Sequence, residues 1–455
     1  MSQFFDQASL VMVPSGYKNG KVYSQKPLST DGELTFTRSN DTATRVNSSG
    51  LIEKVRTNLL TYSNDFSNAV WSKVRVALTG GQSDPFGGTN AWKMECASST
   101  GSVQIVQNAT IGNGSIYAKA GNVSSFNIWV GLNVTFDLST GTITSGASNG
   151  KIESVGNGWY RCTAINSIAT VHNPNFTGSS LGDYVYIAFA QGETGDIATD
   201  YIATTSAAVS VGPVANLPRL DYSGGATCPS LKLEPQRSNL CLWSENFDNA
   251  AWGKTNVSVT ANSVTSPDGY LNADSLQISA STEPRIRQTT TQTGSTAFTF
   301  SCFAKKGNVD FLILRNIAIN NVGGSRAWFN LNTGVVGTVN AGLTASMVSY
   351  ANGWYRCVIS GTTDASPTNL VDISLSSADG SISGSAIGSN IYIYGAQLEQ
   401  GAYESSYLNT LSTSVTRLAD ATQSGTLSAV SGGEVSFFLD IDGAPNPSSN
   451  STSAN

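Results

Sequence analysis

Two glutamates at matched positions are the first residues whose chemistry must be considered. Glu193 lies in the string AFAQGETG and Glu399 in YGAQLEQG, and both strings are typical of strands. Glycoside hydrolysis needs two carboxyl groups facing each other across one cleft, roughly 5–9 Å apart. Each string offers only one repeated carboxylate. We therefore expect both glutamates to accept hydrogen bonds from the backbone, or from Arg161 and Arg356, and to have no catalytic role.

Other side chains with catalytic chemistry are sparse. His172 is the single histidine of the chain, and one histidine supplies neither a zinc site nor the base of a catalytic triad. The acidic loops around Asp248, Asp268 and Asp379 lack the regular ligand spacing of a calcium loop. We predict that the protein is not an enzyme and that it uses no metal and no cofactor.

Three tryptophans are candidates for glycan binding, because an exposed indole face can stack on a sugar ring. Trp92, Trp129 and Trp328 have no aromatic counterpart at the matched position of the other half of the chain. Core positions should repeat between two copies of a domain, whereas binding positions can diverge. Asp274 matches Trp92, which suggests that this position lies outside the core.

The repeated residues favour structural roles. Phe66 and Trp71 match Phe247 and Trp252, and buried aromatics of this kind form cores. The spacing within 63–71 predicts one short helical turn. In NGWYRC, strand alternation places Trp and Arg on one face and Tyr and Cys on the other, with Cys facing the core. The matched pairs that we predict to be structural are Trp71 and Trp252, Trp159 and Trp354, Arg161 and Arg356, and Glu193 and Glu399. A stacked Trp–Arg pair on the outer face remains the alternative for NGWYRC.

These residues belong to a duplicated domain. NGWYRC occurs at 157–162 and again at 352–357, and RTNLLTYSNDFSNAVWSK (56–73) is similar to RSNLCLWSENFDNAAWGK (237–254). The separation of matched strings increases along the chain, which indicates loop insertions in the second copy.

Short β-branched and aromatic runs between Gly, Asn and Ser turns predict an all-β fold. We expect tandem antiparallel β-sandwich (jelly-roll) modules with small β-meander segments. The predicted divisions are an N-terminal attachment segment and β-meander (1–55), jelly-roll module 1 (56–212), a bracing hairpin linker (213–236), jelly-roll module 2 (237–416) and the start of a C-terminal domain (417–455).

Composition excludes several classes of function. The net charge is −6 and no Lys/Arg cluster occurs, so we expect no nucleic-acid partner. No apolar run approaches 18 residues and the N-terminus does not resemble a signal peptide, so we expect no membrane span and no secretion by that route. The six cysteines mostly do not match between the copies, which predicts reduced thiols and assembly in a cytoplasm.

Several stretches of the sequence resemble those of a known protein family. FTRSNDTATRVNSSGLIE (36–53), PRLDYSGGATCPSLKLEPQRSNL (218–240) and YGAQLEQGAYESSYLNT (394–410) are similar to tailed-bacteriophage fibre, tail and head-surface proteins built from carbohydrate-binding-module-like jelly rolls. The opening ASLVMVPSGYKNGKVYSQKP (8–27) is similar to versions from phages of Bacteroidetes-type hosts, including crAss-like phages. The resemblance covers residues 8–440.

The resemblance implies a structural protein of the virion, assembled in the host cytoplasm. It implies a homotrimer, contacts with other virion proteins through residues 1–55, and weak multivalent binding of host or mucosal glycans. EVSFFLDI (434–441) resembles the first strand of a concanavalin A-like domain. The family usually has one module, so a tandem pair is a departure from the family and leaves open a purely structural role for one copy. Two alternatives remain: an architectural virion connector without glycan binding, and a secreted bacterial polysaccharide-binding protein.

Overall fold

The chain is built from β-strands. The structure, a computed structural model, describes residues 11–18, 21–26, 33–98, 101–319 and 325–424. In these ranges the regular elements are β-strands and three single-turn 3-10 helices, with no α-helix. None of the helices described there is long and apolar enough to span a bilayer. The all-β prediction is confirmed.

The strands before the second copy are β1 (Val11–Lys18), β2 (Lys21–Lys26), β3 (Leu34–Thr37), β4 (Thr44–Val46), β5 (Ile52–Lys54), β6 (Arg56–Asn58), β7 (Ser72–Val74), β8 (Val76–Gln82), β9 (Ala91–Cys96), β10 (Gly101–Ala120), β11 (Ser125–Trp129), β12 (Asn133–Asp137), β13 (Thr142–Ser145), β14 (Gly150–Gly156), β15 (Trp159–Gly178), β16 (Tyr184–Glu193), β17 (Val209–Val211), β18 (Arg219–Asp221) and β19 (Ser230–Lys232). The remaining strands are β20 (Arg237–Asn239), β21 (Gly253–Thr255), β22 (Val257–Thr265), β23 (Leu271–Ile278), β24 (Arg285–Thr289), β25 (Ala297–Lys306), β26 (Phe311–Asn316), β27 (Arg326–Asn330), β28 (Val335–Val339), β29 (Leu343–Tyr350), β30 (Trp354–Thr362), β31 (Leu370–Ser376), β32 (Asn390–Gln400), β33 (Val415–Arg417) and β34 (Ala421–Ser424). The 3-10 helices are 147–149, 223–225 and 351–353.

Module 2 is a sandwich of two six-stranded antiparallel sheets. Its front sheet has the order β21-β24-β31-β26-β27-β28 and its back sheet the order β22-β23-β32-β25-β30-β29. Alternate residues of each strand face the neighbouring sheet, as in β26, where Leu312 and Leu314 are fully buried in the core. Phe311, Ile313 and Arg315 point to the outer face.

Module 1 has the same arrangement, except that two pairs of strands that are separate in module 2 are each one continuous strand here. Its front sheet is β13-β12-β11-β15-β10-β7 and its back sheet is β14-β15-β10-β16-β9-β8. The long strands β10 and β15 pair with each other in both sheets. β10 corresponds to β24 and β25 of module 2, and β15 corresponds to β30 and β31. Register shifts around Asn108, Ile111 and Asn113 mark where the strands bend from one sheet into the other.

The predicted helical turn at 63–71 is wrong. Three successive turns occupy this segment, with backbone N–H groups of Asp65, Asn68 and Trp71 donating to the carbonyl three residues earlier. Ser63 does not cap a helix. Its hydroxyl accepts a hydrogen bond from the backbone N–H of Thr204 at 2.9 Å, which ties the turns to the end of the module.

The strands between 33 and 55 lie in two sheets. β3 pairs with β2 and with β34, whereas β4 pairs with β5 in a separate hairpin. The predicted single meander is therefore divided, and the antiparallel run β1-β2-β3 is the meander that forms. We call β4 and β5 the N-terminal hairpin.

The end of the described chain returns to its beginning. β33 pairs with β20, and β34 pairs with β3, so the described start of the predicted C-terminal segment 417–455 pairs with a strand near the N-terminus. The predicted strand 434–441 lies outside the described residues. In the linker 213–236, β18 and β19 form the predicted hairpin.

The cysteines are free thiols. Cys228 is exposed and the other five are buried, including Cys162 and Cys357 in the two cores. Burial raises the pKa of Cys302 to about 12, so this thiol stays protonated and unreactive at neutral pH.

Candidate functional site

An exposed tryptophan lies on the outer face of the front sheet of module 1. Trp129 is 42% exposed, whereas its strand neighbours Phe126 and Ile128 are fully buried. Strand alternation therefore places Trp129 on the face opposite the core. Of the three tryptophans predicted for glycan stacking, Trp129 is the one that presents its ring to solvent.

Amide side chains surround Trp129. Residues paired directly across antiparallel strands share a face. Trp129 pairs with Asn133 on β12 and with Asn173 on β15. The next row pairs Asn127 with Asn175, and Asn175 with Gln104 on β10. We call Trp129 with its five amide neighbours the Trp129 face, whose amides are Gln104, Asn127, Asn133, Asn173 and Asn175.

The hydrogen bonds within the Trp129 face leave capacity for a ligand. Asn173 donates to the Oε1 atom of Gln104 at 2.9 Å, and Asn175 donates to the carbonyl of Asn173 at 3.1 Å. Asn133 is exposed, and its amide makes only long hydrogen bonds, to Asn127 at 3.5 Å and to Thr135 at 3.4 Å. Amides offer both donors and acceptors, so the face combines a stacking surface with groups that can pair with hydroxyls.

Trp92 does not belong to this face. It lies on the back sheet, half-buried, with its ring packed against Phe66 at a centroid distance of 6.3 Å. Its Nε1 donates to the carbonyl of Asn64 at 2.9 Å. Trp92 pairs with Ile187, and Asp274 pairs with the matching Ile393, so the predicted correspondence of Trp92 and Asp274 is confirmed. Our inference that the position lies outside the core is wrong.

Trp328 is covered by a loop. It lies on the outer face of the front sheet of module 2, next to Ile313, but is only 4% exposed. Its Nε1 donates to the carbonyl of Ser381 at 2.6 Å. Ser381 belongs to the loop 377–389, whereas the matching loop of module 1 spans only 179–183. The longer loop buries Trp328, so it presents no stacking surface.

The repeated aromatics that open each module are core residues. Phe66 and Trp71 pack with ring centroids 5.2 Å apart, and Phe247 and Trp252 repeat that distance. All four side chains are at most 1% exposed.

The side chains of NGWYRC point to the two faces as predicted, but they form no exposed surface for stacking a sugar. Cys162 lies in the core of module 1, with Tyr160 packed against it, while Trp159 and Arg161 are buried on the other face of the back sheet. Arg161 lies over the ring of Tyr117, 5.6 Å from its centroid, and not on Trp159.

The second copy repeats this geometry. Arg356 lies 5.3 Å from the ring centroid of Phe303 and donates to the carbonyl of Ser405 at 2.7 Å. Trp354 is fully buried and donates to the carbonyl of Thr265. The Trp–Arg stack considered as an alternative does not form.

The repeated glutamates hold a loop. Glu193 accepts hydrogen bonds from the backbone N–H of Thr199 at 2.9 Å and from the side chain of Gln191 at 2.8 Å. Glu399 accepts from the N–H of Ser405 at 2.9 Å and from Gln397 at 2.6 Å. Of the two predicted kinds of donor, backbone N–H groups or Arg161 and Arg356, the structure shows the backbone N–H groups.

His172 is a buried core residue. Its ring centroid lies 6.2 Å from that of Trp71, and burial lowers its pKa to about 3. The imidazole is therefore neutral at physiological pH. No group of three or more His, Cys, Asp or Glu side chains within the described ranges is arranged to hold a metal ion.

A polar cleft of about 390 Å3 lies between the two modules. Within it Lys54 of the N-terminal hairpin contacts Glu245 at 2.6 Å and Asp268 at 3.0 Å. Burial opposes the charge of Lys54, but these two carboxylates outweigh burial and raise its pKa. The hydroxyl of Tyr394 also lies within 2.8 Å of both carboxylates.

Glu245 and Asp268 are thus already engaged by protein groups. The sequence interpretation missed this cluster. The available signal was Glu245 in SENF where the first copy has Asn64 in SNDF, since a carboxylate that replaces an amide at a repeated position needs a cationic partner.

Comparisons with known proteins add little. No protein-family model and no curated protein matches the chain. Among solved structures, the N-terminal CBM22-1-CBM22-2 tandem domain from Paenibacillus barcinonensis Xyn10C is similar with a TM-score of 0.24 and 11% sequence identity. The match covers 76% of this chain and 98% of that chain. A TM-score this low carries no argument, so the fold assignment rests on the strand pairing described above.

Proposed function

We propose that this protein is a non-enzymatic glycan-binding protein and that module 1 binds carbohydrate through the Trp129 face. The observation that carries the proposal is the exposed Trp129 ring in one row with Asn133 and Asn173 on an open sheet face. A sugar ring has an apolar face for the indole and hydroxyls at its edge for the amides.

The architecture gives a reason for weak binding at a single site. The Trp129 face is an open sheet surface and not an enclosed pocket, so a bound sugar keeps much of its contact with water. Affinity at one face is then low, and useful attachment needs many copies held together. This fits the proposal, drawn from the sequence resemblance alone, that the chain is a bacteriophage surface protein present as a homotrimer and attached to other virion proteins through residues 1–55.

Module 2 supports a second role. The loop 377–389 buries Trp328, and the N-terminal hairpin packs on module 2 through Lys54 and through a backbone hydrogen bond from Ile52 to Pro267 of 2.9 Å. These contacts favour an architectural role for module 2 as the base against which the rest of the chain is fixed.

The test is binding of the full chain to neutral polysaccharides before and after Trp129→Ala. Dextran, laminarin and mannan serve as probes in affinity electrophoresis. Where the wild type is retarded, we expect the variant to lose at least about tenfold in affinity, or roughly 1.4 kcal/mol. Phe86→Ala is the matched control, because Phe86 is an aromatic 65% exposed in the turn between β8 and β9, packed against Tyr117 of the back sheet and away from the Trp129 face.

Unchanged thermal unfolding of both variants would show that the fold is intact. Retardation that survives Trp129→Ala, or that is lost equally in Phe86→Ala, would contradict the assignment of the site. Absence of retardation with every neutral probe would contradict the proposed binding of neutral glycans.

A further inference from the structure

A row of charged residues crosses the outer face of the front sheet of module 2. Arg287 on β24 pairs with Asp372 on β31, Asp372 pairs with Arg315 on β26, and Arg315 pairs with Arg326 on β27. Direct pairing places these four side chains on one face. We call this set the arginine row. Four strands at a spacing of about 4.8 Å give the row a length of roughly 14 Å.

The arginine row occupies the position that the Trp129 face has in module 1. Asn133 stands three residues before Phe136 on β12, and Arg326 stands three residues before the matching Phe329 on β27. Trp129 pairs with Asn133, and Arg315 pairs with Arg326. Arg315 thus replaces Trp129 at the same point of the same sheet.

Positive charge exceeds negative charge along this row. Asp372 is 2% exposed and binds Arg287 through both oxygens, at 2.6 and 2.7 Å. Arg315 reaches an Asp372 oxygen only at 3.6 Å, and its Nε is buried without a partner. Among the described residues, one carboxylate therefore serves two guanidinium groups.

The neighbouring acid does not correct this imbalance. Glu283 binds Arg285 at 2.9 Å and contacts Arg326 at 3.4 Å. Four arginines thus face two carboxylates, on a chain whose net charge is −6. Burial, and then the charge of Arg326, lowers the pKa of Arg315 despite Asp372, which is consistent with uncompensated positive charge.

Part of the arginine row is accessible. The side chains of Arg315, Arg326 and Arg287 are 17%, 18% and 30% exposed. Trp328, to which the loop 377–389 is bonded through the carbonyl of Ser381, lies one row away. An anion can therefore approach the terminal nitrogens of the guanidinium groups from solvent.

We propose that the arginine row of module 2 binds the carboxylate or sulfate groups of an acidic polysaccharide. A guanidinium donates two parallel hydrogen bonds to such a group, and neighbouring guanidiniums share its charge. Because the row is short, it fits single acidic substituents of a polysaccharide chain. The inference extends the proposed glycan binding to a second, chemically different face.

The experiment compares the full wild-type chain with Arg315→Gln on three polymers: polygalacturonate, dextran sulfate and unsubstituted dextran. We expect Arg315→Gln to weaken binding to the two acidic polymers at least about fivefold at low ionic strength, where screening is small. Arg326→Gln should act in the same direction. Lys151→Gln is the matched control, because it removes one positive charge from an exposed pair with Glu153 in module 1.

The outcomes separate the two proposals. Equal binding of acidic polymers by Arg315→Gln and by the wild type overturns the arginine row, while loss of neutral binding in Trp129→Ala still supports the Trp129 face. Acidic binding that depends on Arg315, without any neutral binding, supports the row and contradicts the Trp129 face.

Two further measurements identify the ligand source. Titration with sodium sulfate tests whether a free anion binds as tightly as one sulfate group of the polymer, which would overturn a polysaccharide ligand. Equal affinity for a single-stranded DNA oligonucleotide would also overturn it, because the row would then recognise negative charge alone.

Discussion

Asp274 shows how one residue can change the chemistry of a repeated position. In module 1 the matching Trp92 packs its ring on Phe66, whereas in module 2 the carboxylate of Asp274 accepts the backbone N–H groups of Phe247 at 2.9 Å and Asn262 at 3.0 Å. Both solutions fix the turns that open the module. Burial raises the pKa of Asp274 to about 7, since two hydrogen bonds do not fully replace water around a carboxylate.

This raised pKa predicts a pH dependence of stability. Between pH about 4 and 7 the folded chain binds a proton at Asp274 that the unfolded chain releases. The contribution of this proton to the free energy of unfolding is therefore fully present below pH about 4. It is lost as the pH rises from about 4 through 7, by at most about 1.4 kcal/mol per pH unit. Asp274→Asn should remove this dependence. The lost acceptor adds a pH-independent loss of about 1–3 kcal/mol, so the variant is the less stable of the two chains at pH 4.

The measurement is urea unfolding of wild type and Asp274→Asn at several values between pH 4 and 8. The difference in free energy of unfolding between the two should shrink as the pH rises. Asp200→Asn is the control, because that side chain is 89% exposed and should give no such trend. A difference that is constant with pH would contradict the assignment.

At the scale of elements, loop length distinguishes the two modules. Both front sheets have the same strand order, yet the loop 377–389 lies over Trp328 and Ile313 while the short loop 179–183 leaves the Trp129 face open. The longer loop is held by Asp379, which accepts the N–H of Thr338 at 2.8 Å. An insertion in one loop has thus covered one row of this sheet face, while the arginine row next to it stays accessible.

Replacing 377–389 by the five residues of 179–183 should expose Trp328. We expect a red shift of tryptophan emission, stronger quenching by acrylamide, and a loss of stability of about 3 kcal/mol from the apolar surface returned to water. Trp328→Phe in both backgrounds assigns the signal to this residue. An unchanged emission spectrum would show that another element covers the ring.

At the scale of the molecule, a buried charge network joins the distant parts of the chain. Asp420 binds Arg38 at 2.7 Å and also contacts Arg219, while Glu234 binds Arg219 at 2.8 Å and Arg417 at 3.1 Å. The network connects the N-terminal strands, the linker hairpin and the end of module 2. Despite burial, Arg417 and Arg219 lower the pKa of Glu234 to about 2, so Glu234 stays ionised above that pH.

Asp420→Ala should therefore destabilise the whole chain. It leaves two buried guanidinium groups short of a carboxylate, and breaking a buried pair in this way costs about 3–5 kcal/mol. Chemical denaturation of the full chain measures the loss. Glu153→Ala, which removes the exposed partner of Lys151, should cost less than about 1 kcal/mol. Equal effects of the two substitutions would contradict the role of the network.

The duplication, the all-β class and the core aromatics could be predicted from the sequence. These properties follow from local signals: matched strings, the two-residue period of strands and turn residues between them. The hydrogen bond from the backbone to Glu193 could also be predicted, because a repeated carboxylate among apolar residues needs hydrogen-bond donors nearby.

Which residues are accessible could not be predicted in this way, because it depends on the packing of the whole chain. Trp92, Trp129 and Trp328 look alike in the sequence, but the first lies at the edge of a core, the second faces solvent and the third lies under a loop. The pairing of β3 with β34 and the arginine row depend on contacts between residues far apart in the chain. Exposure and long-range pairing are set by how whole strands and loops pack, and no local pattern contains that information.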